Sequence, residues 1–578
     1  MNDSEAKPAR SGALVAFRDL VGPRRIPTAW AVLLLVSGAV LINQGTPLWW
    51  LGATFWVGAV ICTWHAYRAP LAAANAWLDQ PRRVLGRSVQ LGPLLLDTFY
   101  VGLLAWVATI MLRDVFPGAR PISHDHTVHY AKAYQLHEHF LPQFRLHGFS
   151  HRWFAGYPVD YLYSFGTDLY INVVYALGFG LLKFNQSYGV AFWLFHVLSG
   201  YAGYRFGKLV GGPHVGLITG FLMITDMSTF RFGGWAYTVE YGVWPQAFSL
   251  AFALLATVQV PAIYATRAWR PVGMFALWMG AAIVTHPIEF PYLGVLLIAA
   301  TIAGVFSAEI RTAAGTARLL IAFALSALCS SAWLLPFLST KSLVFPMGVW
   351  WDSTYEMGRG VISLDGFPGT IGYVIALGGF AAVVMLRSRQ FILVLTGLQA
   401  LLWPILSSST FIDELHLPNL TSSFAKVQWL RMSTMAKPFW FAMAAYLAVA
   451  SVRWALALAP RALGMRVSAP AIARAEATVP PKVGVPRFSH VREVVFAMIV
   501  GFITLPILVP AMQSFYTSNI LKTLETETDR ARDPDRAAMI TWLKHNLPRD
   551  GFYRLCVNTG HNHDLLDISA ELPMPIYK

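Results

Sequence analysis

Charge is scarce in this chain. Only 13% of its 578 residues are Asp, Glu, Lys or Arg, against about a quarter in soluble domains. An ordinary soluble protein is therefore excluded, and the 56% hydrophobic content points to an integral membrane protein. Cysteine is nearly absent. Cys62, Cys329 and Cys556 are widely separated, so neither a disulfide framework nor a metal knuckle follows from them. Acidic residues are the minority charge, 30 against 44 Lys and Arg, for a net charge of +14. The basic residues gather in particular loops and not in an aromatic-interleaved patch. Sorting of charge across a bilayer accounts for them, and no nucleic-acid partner is expected. A cleavable signal is missing too. The first long apolar run starts near Thr28 with no small-residue cleavage site after it, which reads as a retained span.

Long apolar runs are abundant. About 20 helical residues cross the hydrocarbon, and roughly fourteen segments approach that length, from Thr28–Asn43 and Trp49–Tyr67 through Leu94–Leu112 to Val494–Met512. Lys7, Arg10, Arg18, Arg24 and Arg25 put the N-terminal segment, 1–27, in the cytoplasm. If every segment crosses, the most basic loop, 453–492, falls outside. If Leu169–Leu182 lies in the surface or re-enters, this loop moves inside, together with Arg205/Lys208, Arg267/Arg270, Arg311/Arg318 and Arg387/Arg389. The expectation is an all-α polytopic protein with about thirteen transmembrane helices over 28–512. Its first external loop is 116–168 and its basic cytoplasmic linker is 453–492. Residues 513–578 begin an extracytoplasmic α/β domain, with a helix over Ala537–Leu547 and a strand over Gly551–Val557. That piece is too short to close a core by itself, which implies a fragment or a partner.

This topology brings the unusual polar residues to one face: Asp125, Asp226, Glu240, His286, Glu289, Asp352, Glu356, Asp413, Glu414 and Arg431. The densest stretch is His124-Asp125-His126-Thr127-Val128-His129. Transfer of a sugar to a hydroxyl needs a base for the acceptor proton, and the Asp125 carboxylate is the candidate. A helix cap near Thr127 is its bland alternative. Asp125 and His129 stand at i, i+4, and His126 and His129 at i, i+3, so each pair shares a helix face. His126 and His129 leave a divalent metal ion as an open alternative; no other cofactor is expected. Arg431 suits a phosphate, which a guanidinium grips with two hydrogen bonds, whereas Lys437 reads as a snorkelling anchor. Glu240, among Trp235, Tyr237 and Tyr241, suits sugar hydroxyls, or else belongs to an interfacial aromatic belt. His286 follows a span and precedes Pro287, where it can face a cavity.

An acidic residue beyond an early span, a surface helix and then Trp153-Phe154-Ala155-Gly156-Tyr157-Pro158 resemble the first external loop of the GT-C glycosyltransferase superfamily. The ordered series Asp125/His129, Trp153–Pro158, Trp235–Pro245 and Gln428-Trp429-Leu430-Arg431 is similar to bacterial membrane proteins labelled "6-pyruvoyl-tetrahydropterin synthase-related". The resemblance implies sugar transfer from a polyprenyl-phosphate carrier at the outer leaflet of a bacterial inner membrane. Asp125 would be catalytic, and Arg431, Glu240, His286, His129 and Tyr157 would bind substrate. The partners would be the lipid-linked sugar, membrane lipids and an acceptor that the sequence does not name. GT-C loops often carry paired carboxylates; here histidines flank Asp125 instead. A transporter or flippase of lipid-linked saccharides, or a non-catalytic scaffold, is the alternative. Sparse polar residues through the depth of the spans favour the enzyme.

Overall fold

A computed structural model describes residues 82–84, 87–89, 91–116, 118–150, 157–226, 233–307, 310, 312–343, 353, 370–419, 427–462, 526, 534–546, 555–556 and 576–577. Thr28–Asn43, Trp49–Tyr67, Val494–Met512 and most of the 340–370 and 453–492 loops lie outside the described residues. The chain forms two compact units. One comprises Met1–Gly102 with Val479–Asn519, and the other Leu103–Thr478 with Ile520–Lys578. In the first, β1 (Arg82–Val84) and β2 (Arg87–Val89) pair antiparallel and the helix α1 (Leu91–Met111) begins. The candidate site lies wholly in the second.

That unit is mostly helical. After α1 come α2 (Asp125–Gln135), the antiparallel strands β3 (Gly148–Ser150) and β4 (Tyr157–Val159), α3 (Gly166–Leu177), α4 (Phe184–Gly211) and α5 (Pro213–Thr225). They are followed by α6 (Trp244–Thr257), α7 (Val260–Ala265), α8 (Arg270–Thr285), α9 (Glu289–Phe306), α10 (Thr312–Cys329) and α11 (Ser331–Thr340). Then come α12 (Thr370–Met385), α13 (Phe391–Leu406), α14 (Ser433–Ala462) and α15 (Pro534–Asn546). Proline in the first turn opens α5, α6, α7 and α8; its fixed φ suits a helix start, where its missing N–H costs nothing.

Among the described residues, four stretches are long and apolar enough to cross a membrane: Leu91–Met111, Trp244–Ala265, Glu289–Phe306 and Thr312–Cys329. Their neighbours α5, α8 and α13 are shorter apolar helices. The outward faces carry large apolar side chains, such as Leu277 on α8, Ile298 and Val305 on α9 and Leu328 on α10. Water would penalise these faces and lipid does not. The chain is therefore a multi-pass membrane protein. The apolar run Leu319–Leu338 is not one helix: a turn at Ser330 divides α10 from α11, which also contains Pro336.

Small residues decide how closely the helices approach. Gly220 on α5 lies so near α4 that a Cβ there would sit 2.5 Å from the Gly200 carbonyl oxygen, the backbone proximity that lets membrane helices gain packing energy without a hydrophobic drive. The core is formed by α6, α8, α9, α13 and α14, with Tyr292 stacked on Trp403 at 5.6 Å.

The segment Leu169–Leu182 is α3 and the turn after it. At 12 residues, α3 is roughly 18 Å long, too short to span a hydrocarbon core of about 30 Å. Leu177, Phe179 and Leu181 are exposed at its end. Near the C-terminus, Leu555–Cys556 pairs in parallel with Ile576–Tyr577.

Candidate functional site

The site grows from α2. The helix starts at Asp125, two residues earlier than the expected start at Thr127. His124 holds the N-cap position without a side-chain cap bond, so the capping alternative for Asp125 is not realised. The backbone N–H of Asp125 instead donates to the Tyr241 carbonyl at 3.0 Å. This ties α2 to a wide helical turn, Ala236–Glu240, and its continuation to Val243. Gly242 permits the contact. Its φ is +74°, and a Cβ there would lie 2.5 Å from the His126 nitrogen.

His126 completes the joint. Its Nε2–H donates to the Val239 carbonyl at 2.7 Å, and its Nδ1 accepts from the Tyr188 hydroxyl at 2.9 Å. Burial lowers its pKa to about 3, so the ring stays neutral. Both nitrogens are engaged in this arrangement, so His126 here serves the joint between α2 and the 236–243 turn. Among the described residues, no group of three or more His, Cys, Asp or Glu side chains stands together as a metal-binding set.

The next face of α2 carries Asp125, His129 and Lys132, at i, i+4 and i+7. His129 is buried, packs on Trp244 and Tyr163, each at 6.3 Å between ring centres, and its Nδ1 has no hydrogen-bond partner among the described residues. Burial, with the Lys132 charge beside it, holds its pKa well below the usual histidine value. Lys132 was not foreseen as a site residue. Its ammonium lies 2.7 Å from Asp160 and 2.9 Å from Asp168, both fully buried, and 4.9 Å from the centre of the Tyr163 ring. Burial raises both carboxyls, and each Asp acts on the other. One ammonium between two dry carboxyls favours a single proton shared by the acids. The spacing from Asp125 was the available signal for Lys132. Asp160 and Asp168 offered none, because their place depends on the loop from β4 to α3.

Tyr163 is the hub. Its ring stands edge-on to His286, 5.1 Å between centres. Burial pushes its hydroxyl up; Lys132 and Arg431 oppose this, while Asp125 and Tyr237 add to it. His286 is buried after α8, and its Nδ1 accepts the Ile288 N–H at 3.2 Å. Burial, then the Arg431 and Lys132 charges, lower its pKa to about 3. Arg431, on a tight turn (Trp429–Met432) before α14, lies 5.8 Å above the Tyr237 ring.

The structure therefore brings together Asp125, His129, His286 and Arg431 of the expected residues, and adds Lys132, Tyr163 and Tyr237. Glu240 stands apart at the rim. It is partly exposed, burial raises its pKa, and the charge acting on it is that of His124. Tyr157 has its backbone in β4, but its side chain and residues 151–156 lie outside the described residues. Lys437 is not the snorkelling anchor expected of it: it is buried and paired with Asp226.

A hydrogen-bond chain fixes the Arg431 side. The Tyr237 hydroxyl donates to Gln246 Oε1, Gln246 Nε2 donates to Thr434 Oγ1 at 3.1 Å, and Thr434 Oγ1 donates to the Arg431 carbonyl at 2.7 Å. Gln246 is 1% exposed, so each of these bonds replaces lost hydration.

No protein-family model matches the chain, and no curated protein matches it. Among solved structures, it is similar to the archaeal oligosaccharyltransferase AglB from Archaeoglobus fulgidus in complex with an inhibitory peptide and a dolichol-phosphate. The identity is 12% and the TM-score 0.46, over 82% of this chain and 63% of that one. This chain thus spans less than two thirds of that protein's length. It is also similar to ArnT from Cupriavidus metallidurans bound to undecaprenyl phosphate, at 13% identity and a TM-score of 0.45, over 83% of this chain and 86% of that one. Apo ArnT gives 15% and 0.47 over the same shares. Neither similarity assigns a role to a residue of this chain.

Proposed function

We propose that this chain is a membrane glycosyltransferase of GT-C type that moves a sugar from a polyprenyl-phosphate carrier to an acceptor hydroxyl at the outer leaflet. One observation carries the reading: a carboxylate and an ammonium on one face of α2, a phenol from the loop before α3 and a guanidinium from the turn before α14 act on one another at one place. The resemblance of the Asp125, Trp235–Pro245 and Gln428–Arg431 stretches to the pterin-synthase-related membrane family supports it.

The chemistry follows from these groups. The acceptor O–H attacks the anomeric carbon, and a new carbon–oxygen bond forms. The bond from that carbon to the phosphate oxygen breaks, and its electron pair stays on the polyprenyl phosphate. Asp125 takes the acceptor proton as general base. Arg431 and Lys132 stabilise the charge that grows on the phosphate, most effectively where water is scarce. Buried and neutral, His129 and His286 add hydrogen bonding without adding a charge.

Asp125→Asn tests this reading. With undecaprenyl-phosphate-linked sugars as donors, turnover falls about 100-fold or more, while undecaprenyl phosphate still binds. Unchanged turnover sinks the base assignment. Carrier translocation without transfer in the unmodified protein would instead make it a transporter.

A further inference from the structure

Beside the Arg431 group lies a small cavity that the reaction scheme leaves unused. It is bounded by α4, the ends of α5 and α6, the Gly233–Tyr237 stretch and the first turns of α14. The space open to centres of water-sized spheres is about 60 Å³. One water needs about 10–15 Å³ on that measure and fills about 30 Å³ of liquid, so roughly four to six waters, or one sugar ring in their place, fit.

Its walls combine the two chemistries that a sugar ring presents. Trp235 and Tyr237 offer aromatic faces; Asp226, Lys437, Ser199 and His196 offer polar atoms. The Asp226–Lys437 pair supplies both a carboxylate and an ammonium while leaving the cavity neutral. The His196 Nδ1–H is spent on the Phe192 carbonyl at 3.1 Å, which leaves Nε2 as an acceptor.

Ser199 is the independent sign of a ligand. Several hydroxyls buried in helix interiors bond back one turn, as Thr219 does to Val215, Thr257 to Ala253, Ser326 to Ala322 and Thr396 to Ile392; Thr167, in the first turn of α3, has no such residue in its helix to bond. Bonding back is the usual resting state of such a side chain. The Ser199 hydroxyl does not bond back. It is 4% exposed, lines the cavity and has no hydrogen-bond partner among the described residues. A buried hydroxyl left in this way costs free energy unless something in the cavity meets it.

Position supplies the last step. Tyr237 walls the cavity and also lies beneath Arg431, and Thr434, another wall residue, follows Arg431 by one turn. A group joined to a phosphate at Arg431 is within reach of the cavity. We propose that this cavity is the subsite for the single sugar carried on the polyprenyl phosphate, with Ser199 and the Asp226–Lys437 pair binding its hydroxyls. The cavity takes one ring, not an oligosaccharide. The proposal rests on the glycosyltransferase reading.

The full chain in lipid nanodiscs is titrated with undecaprenol, with undecaprenyl phosphate, and with undecaprenyl phosphate bearing glucose, mannose, galactose or arabinose. At least one glycosylated carrier is expected to bind severalfold more tightly than the bare phosphate. Ser199→Leu fills the cavity and brings that ratio to about one. Ser199→Ala, which removes only the hydroxyl and serves if the leucine variant does not fold, lowers the ratio about threefold. Equal binding of bare and glycosylated carriers by the unsubstituted protein, or a ratio indifferent to both substitutions, overturns the subsite and leaves the transferase reading standing. Equal binding of undecaprenol and undecaprenyl phosphate overturns that reading, and the subsite with it.

Discussion

Tyr163 shows how much a single side chain can depend on its surroundings. In the sequence it is one aromatic among 22 tyrosines. In the fold its ring touches Lys132, His129 and His286, and its hydroxyl makes no hydrogen bond to a described residue. A phenol beside an ammonium and a guanidinium is a ready donor to an anionic oxygen. Tyr163→Phe is expected to weaken undecaprenyl phosphate binding about tenfold, the worth of a hydrogen bond to a charged group. The melting temperature should stay near that of the parent, since no described protein partner is lost. Equal affinity in the two proteins would remove Tyr163 from the site. His126 is the opposite case. It stands in the most reactive-looking stretch of the sequence, yet both its nitrogens serve to clamp α2 to the 236–243 turn.

Elements matter here through their ends. α2 carries Asp125, His129 and Lys132 on one face because these residues are spaced by four and three. That face is aimed by the clamp at Gly242. Alanine at 242 must hold a left-handed φ, costing about 1–3 kcal/mol, and would press its Cβ on the α2 backbone. Gly242→Ala is therefore expected to lower the unfolding midpoint by several degrees and to reduce turnover together. A stable variant with normal turnover would show that the joint does not aim Asp125. α3 illustrates a different dependence: its apolar content resembles that of a span, but Gly166 and the turn after Leu177 cut it to 12 residues.

For the whole molecule, buried histidines couple stability to pH. His126 and His286 have folded values near 3 and His129 lies well below its ordinary 6.5. All three are neutral in the native state and ionise in the unfolded chain below pH 6.5. The unfolded state then binds more protons, so stability is complete above pH 6.5 and is lost as pH falls towards 3. His126 and His286 each contribute at most about 1.4 kcal/mol per pH unit across that window, and His129 acts in the same direction. Thermal unfolding followed from pH 7.5 to 4.5 should show a falling midpoint below 6.5. In the His126→Asn variant the slope should be shallower. A slope unchanged in His126→Asn would mean that this ring is not held neutral, because the raised Asp160 and Asp168 carboxyls act in the opposite sense in both proteins.

Composition was enough to establish a multi-pass membrane protein, because scarce charge and long apolar runs leave an aqueous fold no way to form. Helical spacing was enough to place Asp125 and His129 on one face, and the same rule, extended one turn, reaches Lys132. The convergence of Asp125 with Tyr163, Tyr237, His286 and Arg431 was not legible, since these residues lie far apart in the chain and no local rule relates them. Tertiary packing also decided which polar residues serve structure and which stand in the site. The Asp160–Lys132–Asp168 cluster, the Asp226–Lys437 pair and the unbonded Ser199 hydroxyl exist only where separate helices exclude water together. In a medium that satisfies no stray hydrogen bond, burial assigns the role of a polar side chain, and burial belongs to the assembled helices.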